Sequence, residues 1–329
     1  MKKDAPILQG EKIAVGYPKG KGIHWVARDL SFSLRSGRLA CLLGPNGVGK
    51  STLVKAIMGQ NVAVEGQILF QGQPVQKLGP QKMARKVSVV LTDRISPGNL
   101  TVRQLVGLGR IPFTNWLGNM SEEDEKAVEE AIEATHIRYL QDKKVVELSD
   151  GQLQKTMIAR ALAQDGELMV LDEPTAHLDL VNRMEIMQLL RDIAHTHNKA
   201  ILVVTHDLDI AVETADEFWL MTCGGTITTG TPEDLILSGS INQLLPDGRF
   251  YFSSSTGKIT SHAPQEELPV DGPKEVVQWL ELALRKREIK LGDHLHITAL
   301  NNPIAFVVEK AGIPIRVSTI EEVLRELGS

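Results

Sequence analysis

The sequence predicts an α/β protein with a smaller α+β domain behind it, from three observations. A continuous apolar strand, "RLACLL", runs straight into "GPNGVGKSTLVKAIMG", a glycine-rich turn that opens a helix. Two more buried strands, "ELMVLD" and "KAILVVT", flank the helical "LVNRMEIMQLLRDIAHTH", a βαβ order that calls for a parallel sheet. Near "LLPDGRF" the composition breaks, which puts the main domain at 1–245 and an accessory domain at 246–329.

The length of 329 residues favours two domains, and 42% hydrophobic with 23% charged residues is an ordinary globular balance. Cys41 and Cys223 lie far apart in apolar segments and read as buried thiols of a reducing compartment. No apolar run approaches the ~18 residues of a membrane span, and the N-terminus "MKKDAPILQGEK" has no signal-peptide core. A cytoplasmic protein is expected. The formal charge of -5 comes with no dense basic stripe, so no nucleic-acid partner is expected.

Taken in order, "EKIAVGY" and "DLSFSL" alternate as half-buried strands before the "RLACLL" strand. After the glycine turn comes a helix with Leu53, Val54 and Ile57, then a second β group, "EGQILFQGQPV". "VSVVLTDRISPG" ends a strand in Thr92, Asp93 and Arg94. Residues 95–165 turn helical; Ser121 and Asp124 form a capping-box start to a helix with the stripe Ala127, Val128, Ala131 and Ile132. "FWLMTCGGTITTG" reads as a hairpin turning at Gly224-Gly225. The accessory domain comprises the hairpin-like "FYFSSSTGKITSH" and a helix opened by Pro273. Three strands follow, then a last helix capped by Ser318 or Thr319. His294 and His296 alternate on a strand and read as ordinary strand residues rather than metal ligands.

Gly44-x-x-x-x-Gly49-Lys50-Ser51 between strand and helix is the P-loop pattern in its required context. The loop Gly44, Pro45, Asn46, Gly47, Val48, Gly49 and the helix start, Lys50 to Thr52, surrounds an anion with the N–H groups of all but Pro45. Lys50 supplies charge to the outer phosphates, and the Ser51 hydroxyl suits Mg²⁺. "LMVLDEP" brings Asp172 and Glu173 to a strand end, where parallel α/β sheets bind ligands. Asp172 is expected in the metal shell and Glu173 as general base towards an attacking water.

"LSDGQ", residues 148–152, narrows the reading. Here the chain closely resembles the ATP-binding subunits of ABC transporters, over about residues 7–245. The resemblance implies a P-loop cassette with a RecA-like core, an antiparallel β subdomain and a helical subdomain. It implies that two copies form a homodimer around two ATP–Mg²⁺. Ser149, Gly151 and Gln152 of one copy then meet the phosphate held by the other's P-loop. It assigns Tyr17 to adenine stacking, Asp179 to the D-loop and His206 to the switch position that contacts the γ-phosphate. Alone, Tyr17 is a strand aromatic and His206 a strand-end histidine.

Two positions depart from the family pattern. Asp150 replaces the first signature glycine, and Asp93 stands where the family has the Q-loop glutamine. Asp93 keeps an oxygen for Mg²⁺ and the attacking water but loses the amide donor. "LTVRQLVGLGRIPF" and "TGTPEDLI" are similar to segments of importers of iron–siderophore, haem and cobalamin. The resemblance then implies separate integral-membrane permease subunits, indirectly a substrate-binding protein, and a peripheral place on the cytoplasmic membrane face. Two alternatives stay open: a soluble ABC-type ATPase acting on nucleic acid or ribosomes, and a regulatory nucleotide-binding module with weak turnover.

Overall fold

The computed structural model describes residues 5–20, 22–60, 63–91, 98–114, 118–222, 224–245, 250–254, 257–260, 270–287, 289, 295–310 and 312–328. Asp93, Cys223 and His294 lie outside them. The chain forms two compact units, Met1–Ser261 and His262–Ser329.

In the first unit, β1 (Leu8–Lys19) and β2 (Gly22–Leu34) form a long antiparallel hairpin with Tyr17 opposite His24. β3 (Arg38–Leu43) is apolar on both faces, buried from Leu39 onward, and leads through the glycine turn into α1 (Lys50–Ile57). β4 (Ala63–Glu65), β5 (Ile68–Phe70) and β6 (Gln73–Pro74) complete a five-stranded antiparallel sheet around β1 and β2. α2 (Pro80–Lys86) starts on a proline whose missing N–H costs nothing at that position. β7 (Val87–Val90) follows directly.

The helical subdomain consists of α3 (Val102–Gly107), α4 (Glu122–Ala134) and α5 (Asp150–Ala163). Each begins with a capping box, Thr101/Gln104, Ser121/Asp124 and Ser149/Gln152, which satisfies otherwise orphaned amides. A Cβ on Gly109 would lie 2.2 Å from the Arg160 carbonyl oxygen, so only glycine lets this turn sit against α5. Beneath it, Arg110 donates to Asp124 at 2.8 Å in a buried ion pair.

The chain then lays down β8 (Leu168–Asp172), α6 (Leu180–Thr196), β9 (Ala200–Val204), α7 (Leu208–Thr214), β10 (Glu217–Met221), β11 (Ile227–Gly230) and α8 (Pro232–Leu237). The six-stranded sheet runs β11-β10-β3-β9-β8-β7, parallel except for β11. Every residue of β9 is buried, as a central parallel strand covered on both faces must be. Two apolar clusters cover those faces, one including α5 and α6, the other including α1 and the antiparallel sheet.

The hairpin β12 (Tyr251–Ser253) and β13 (Lys258–Thr260) belongs to this first unit, whereas the sequence boundary near 245 assigns it to the accessory domain. Phe252 is 7% exposed within the main core, and its N–H donates to Asn242 Oδ1 at 2.8 Å.

The second unit contains β14 (Val270–Asp271), α9 (Lys274–Lys286), β15 (Leu295–Leu300), β16 (Ala305–Lys310), β17 (Ile313–Val317) and α10 (Ile320–Gly328). Its sheet runs in that strand order, and Leu280, Leu284, Ile297, Phe306 and Val323 make a core of its own. Thr319 caps α10, its hydroxyl accepting from the Glu322 amide. His296 lies 3.0 Å from Asp271, and no cluster of three metal-ligating side chains occurs among the described residues.

Candidate functional site

The exits of β3, β8 and β9 open onto a cleft of about 580 Å³. Tyr17, Asn46, Gly47, Gly49, Lys50, Ser51, Thr52, Asp172 and Glu173 line it, together with His24, Val26 and Val204. The P-loop backbone explains why glycines stand here. Gly49, immediately before α1, has a φ of 113°, and a Cβ there would lie 2.8 Å from a Val26 methyl. Gly47 turns at φ 81° with nothing within 4 Å of its absent Cβ, leaving an open cradle.

Lys50 is 8% exposed, and its ammonium donates to the carbonyls of Gly44 at 2.7 Å and Pro45 at 3.1 Å. Burial pushes its pKa down, while nearby Glu173 and Asp172 work in the opposite direction. Val48 N–H donates to Pro45 O and closes the turn. The Thr52 hydroxyl donates to the Tyr17 oxygen at 3.0 Å, tying the hairpin to α1.

Glu173 takes a left-handed φ of 50°, uncommon for a non-glycine residue. Its N–H donates to the Val204 carbonyl at 2.9 Å, and its own carbonyl accepts from Ala176. Its Oε2 is buried and lacks a hydrogen-bond donor among the described residues. His206 Nδ1 approaches that oxygen to 2.8 Å without the alignment of a hydrogen bond. A buried carboxylate oxygen without a donor is costly, and this one stands in the cleft that an anion cradle lines.

The glycine cradle and the donor set of Ser51 and Asp172 fit a nucleotide triphosphate with a hard cation; oxygen ligands are what Mg²⁺ requires.

The signature residues do not join their own chain's cleft. Ser149 caps α5, its oxygen accepting from Gln152 N–H at 3.3 Å, while Gln152 Oε1 accepts from Ser149 N–H at 3.1 Å. A Cβ on Gly151 would lie 2.7 Å from Asn182 Oδ1, so glycine permits the close approach to α6. Asp179 caps α6 by accepting from Asn182 N–H at 2.9 Å, and that bond holds its carboxyl below the usual range. Asp93 lies outside the described residues.

Sequence reasoning missed two groups. His24 and Val26 reach the cleft because β2 pairs with β1; the hairpin pattern gave the pairing but no register. Thr175, Arg183 and Asp207 converge beside Glu173 and His206, although they stand 24 and 32 positions apart along the chain. Only the adjacency of Asp207 to His206 hinted at them.

The ABC transporter family matches residues 27–176. An ABC transporter ATP-binding protein of Methanocaldococcus jannaschii is 38% identical over 238 residues, covering 72% of this chain and 81% of that protein. The ferric enterobactin transport ATP-binding protein FepC of Escherichia coli is 32% identical over 241 residues, covering 72% of this chain and 86% of that one. An ATP-binding cassette solved as a dimer in a post-hydrolysis state with ADP and Pi superposes with a TM-score of 0.56. It is 25% identical and covers 68% of this chain and 98% of the other.

Proposed function

The chain belongs to the ATP-binding subunits of ABC transporters, transport ATPases, and on that premise we propose that it drives an importer of iron–siderophore, haem or cobalamin. The observation that carries the catalytic part is the buried, donorless Oε2 of Glu173 beside the Lys50 cradle. That oxygen accepts a proton from the attacking water, with His206 Nδ1 standing 2.8 Å away. Lys50 holds the outer phosphates, and Tyr17, which lines the same cleft, stacks on the adenine in this reading. Ser51 and Asp172, with Asp93 as the Q-loop acid, would hold Mg²⁺, which supplies charge neutralisation at the phosphates.

Ser149, Gly151 and Gln152 stand outside their own chain's cleft, which supports completion of the site by a second copy. The amide-rich N-terminus of α5 faces phosphate only across a homodimer. The likeness to siderophore-import relatives supports the cargo class and separate membrane permease subunits, fed by a substrate-binding protein. No helix among the described residues is long and apolar enough to cross a membrane. The reading places the protein peripherally on the cytoplasmic membrane face.

The test is reconstitution in liposomes with candidate permease subunits from the same organism. ATP turnover should rise with the permease present, and ferric siderophore should accumulate in an ATP-dependent way. Stimulation by RNA or ribosomes, with none by the permease, would replace the importer reading by the soluble-ATPase one.

A further inference from the structure

We propose that Asp207, clamped between Thr175 and Arg183, is a positioning residue that fixes the spacing of Glu173 and His206 for ATP hydrolysis. The inference rests on the assignment of Glu173 and His206 to the reaction.

Asp207 occupies the N-cap position of α7, where an aspartate ordinarily accepts from the helix's own first amides. Here its side chain makes no capping bond. Its carboxylate turns the other way: Oδ2 accepts from the Thr175 hydroxyl at 2.7 Å, and Oδ1 from Arg183 Nη1 at 3.2 Å. Its N–H donates to the Thr205 hydroxyl at 3.0 Å. Arg183 in turn donates through Nε to the Leu178 carbonyl at 2.8 Å. One carboxylate thereby ties together the turn after β8, the first turn of α6 and the exit of β9.

These are the segments that carry the two proposed reactive side chains. Glu173 sits two residues before Thr175 with its backbone in the left-handed region, a conformation that persists only where surrounding contacts over-determine it. Thr175 is 1% exposed and anchors that turn through its side chain, beside the Glu173 N–H bond to the Val204 carbonyl. His206 is adjacent to Asp207 and its side chain is 65% exposed. Packing does little to hold this imidazole, so its place is set by the backbone that Asp207 pins. Its Nδ1 is 2.8 Å from Glu173 Oε2 and its Nε2 is 3.9 Å from Asp207 Oδ1, so carboxylates stand on both sides of the ring. A capping residue that abandons its helix to hold a reactive pair costs helix stability and gains geometry.

The experiment compares full-length wild type with Asp207→Asn, Asp207→Ala, Thr175→Val, Arg183→Met and Arg183→Lys, and with Glu173→Gln run alongside. Measured are kcat, KM for ATP, binding of a non-hydrolysable ATP analogue, and the melting temperature. Loss of reactive geometry should lower kcat about 10- to 100-fold in Asp207→Asn and Asp207→Ala. KM and analogue binding should stay within about twofold, because the clamp makes no contact with Lys50 or the P-loop amides that carry phosphate binding. Arg183→Lys, which keeps the charge, should recover part of the activity lost in Arg183→Met. Thr175→Val and Arg183→Met combined should lose less than the product of their separate losses, since both act through Asp207. If Asp207→Ala fails to fold, the near-isosteric Asp207→Asn still reads kcat. Turnover within twofold of wild type in Asp207→Asn, with Glu173→Gln inactive, overturns the clamp alone. Parallel falls in kcat, analogue binding and melting temperature make the clamp merely structural and overturn it too. Glu173→Gln at wild-type turnover overturns the assignment on which the clamp depends.

Discussion

Lys50 and Gly44 show what single residues settle at this site. The Lys50 ammonium has left water for two P-loop carbonyls, and Glu173 and Asp172 offset part of the burial cost. Lys50→Ala removes the cleft's buried cation, and turnover should fall at least about 100-fold, as removal of one preorganised charge donor does elsewhere. A steady-state assay at saturating ATP checks it. Gly44 is a matter of space: a Cβ there would lie 2.4 Å from the Met221 carbonyl, a backbone atom that cannot swing aside. Gly44→Ala should cost about 1–3 kcal/mol by overpacking, seen as a lower urea midpoint with an unchanged m-value. At Asp93, Asp93→Gln should keep ATPase activity and Asp93→Ala damage it; equal rates in all three proteins would remove Asp93 from the site. The P-loop residues were legible because the motif is contiguous and its chemistry is carried by the backbone. Thr175, Arg183 and Asp207 were not, since each alone passes for a turn residue, a helix cation and a helix cap.

Among the elements, the helical subdomain depends on how its helices begin. α4 starts at Ser121 with Asp124 closing the capping box, and the same carboxylate accepts from Arg110 at 2.8 Å. The Ser121 amide, then Arg110 and the Ser121 hydroxyl, hold the Asp124 carboxyl below its usual range against the opposing effect of burial. A depressed carboxylate contributes stability that is present above its unfolded pKa, near 4, and lost as pH falls through the lower folded value. Arg110→Met leaves the charge buried and unpaired, costing about 3–5 kcal/mol at pH 7. The gap to wild type should narrow as pH falls towards 4, because Asp124 in the variant sheds its charge first. Urea melts across that range read the difference. The cap was legible in "SEEDE" because capping is local, whereas the Arg110 pairing depends on how α3 and its following turn pack against α4. The same limit explains the hairpin at 251–260. "LLPDGRF" carries turn residues, and only the burial of Phe252 in the main core reveals that the chain returns to the first unit.

At the scale of the molecule, two units each carry their own core. Leu280→Ala, at a fully buried position of the second, should cost that unit about 2–5 kcal/mol. Hydrogen exchange should then quicken in α9 and β15 while β3, β8 and β9 keep their protection. Two-domain organisation, the parallel sheet and the nucleotide cleft were all legible, because buried strands, glycine turns and strand-end acids leave patterns along the chain. The proposed split of the site between copies was not; it entered only through the resemblance of "LSDGQ", since no periodicity encodes a surface that a second molecule completes. The central claim is that Glu173 is the general base of an ATPase that closes as a dimer around ATP. Glu173→Gln, incubated with ATP and Mg²⁺ and followed by sedimentation alongside phosphate release, tests it most directly. The expected result is a stable ATP-bound dimer with turnover lost; a monomer that releases phosphate at the wild-type rate would contradict it.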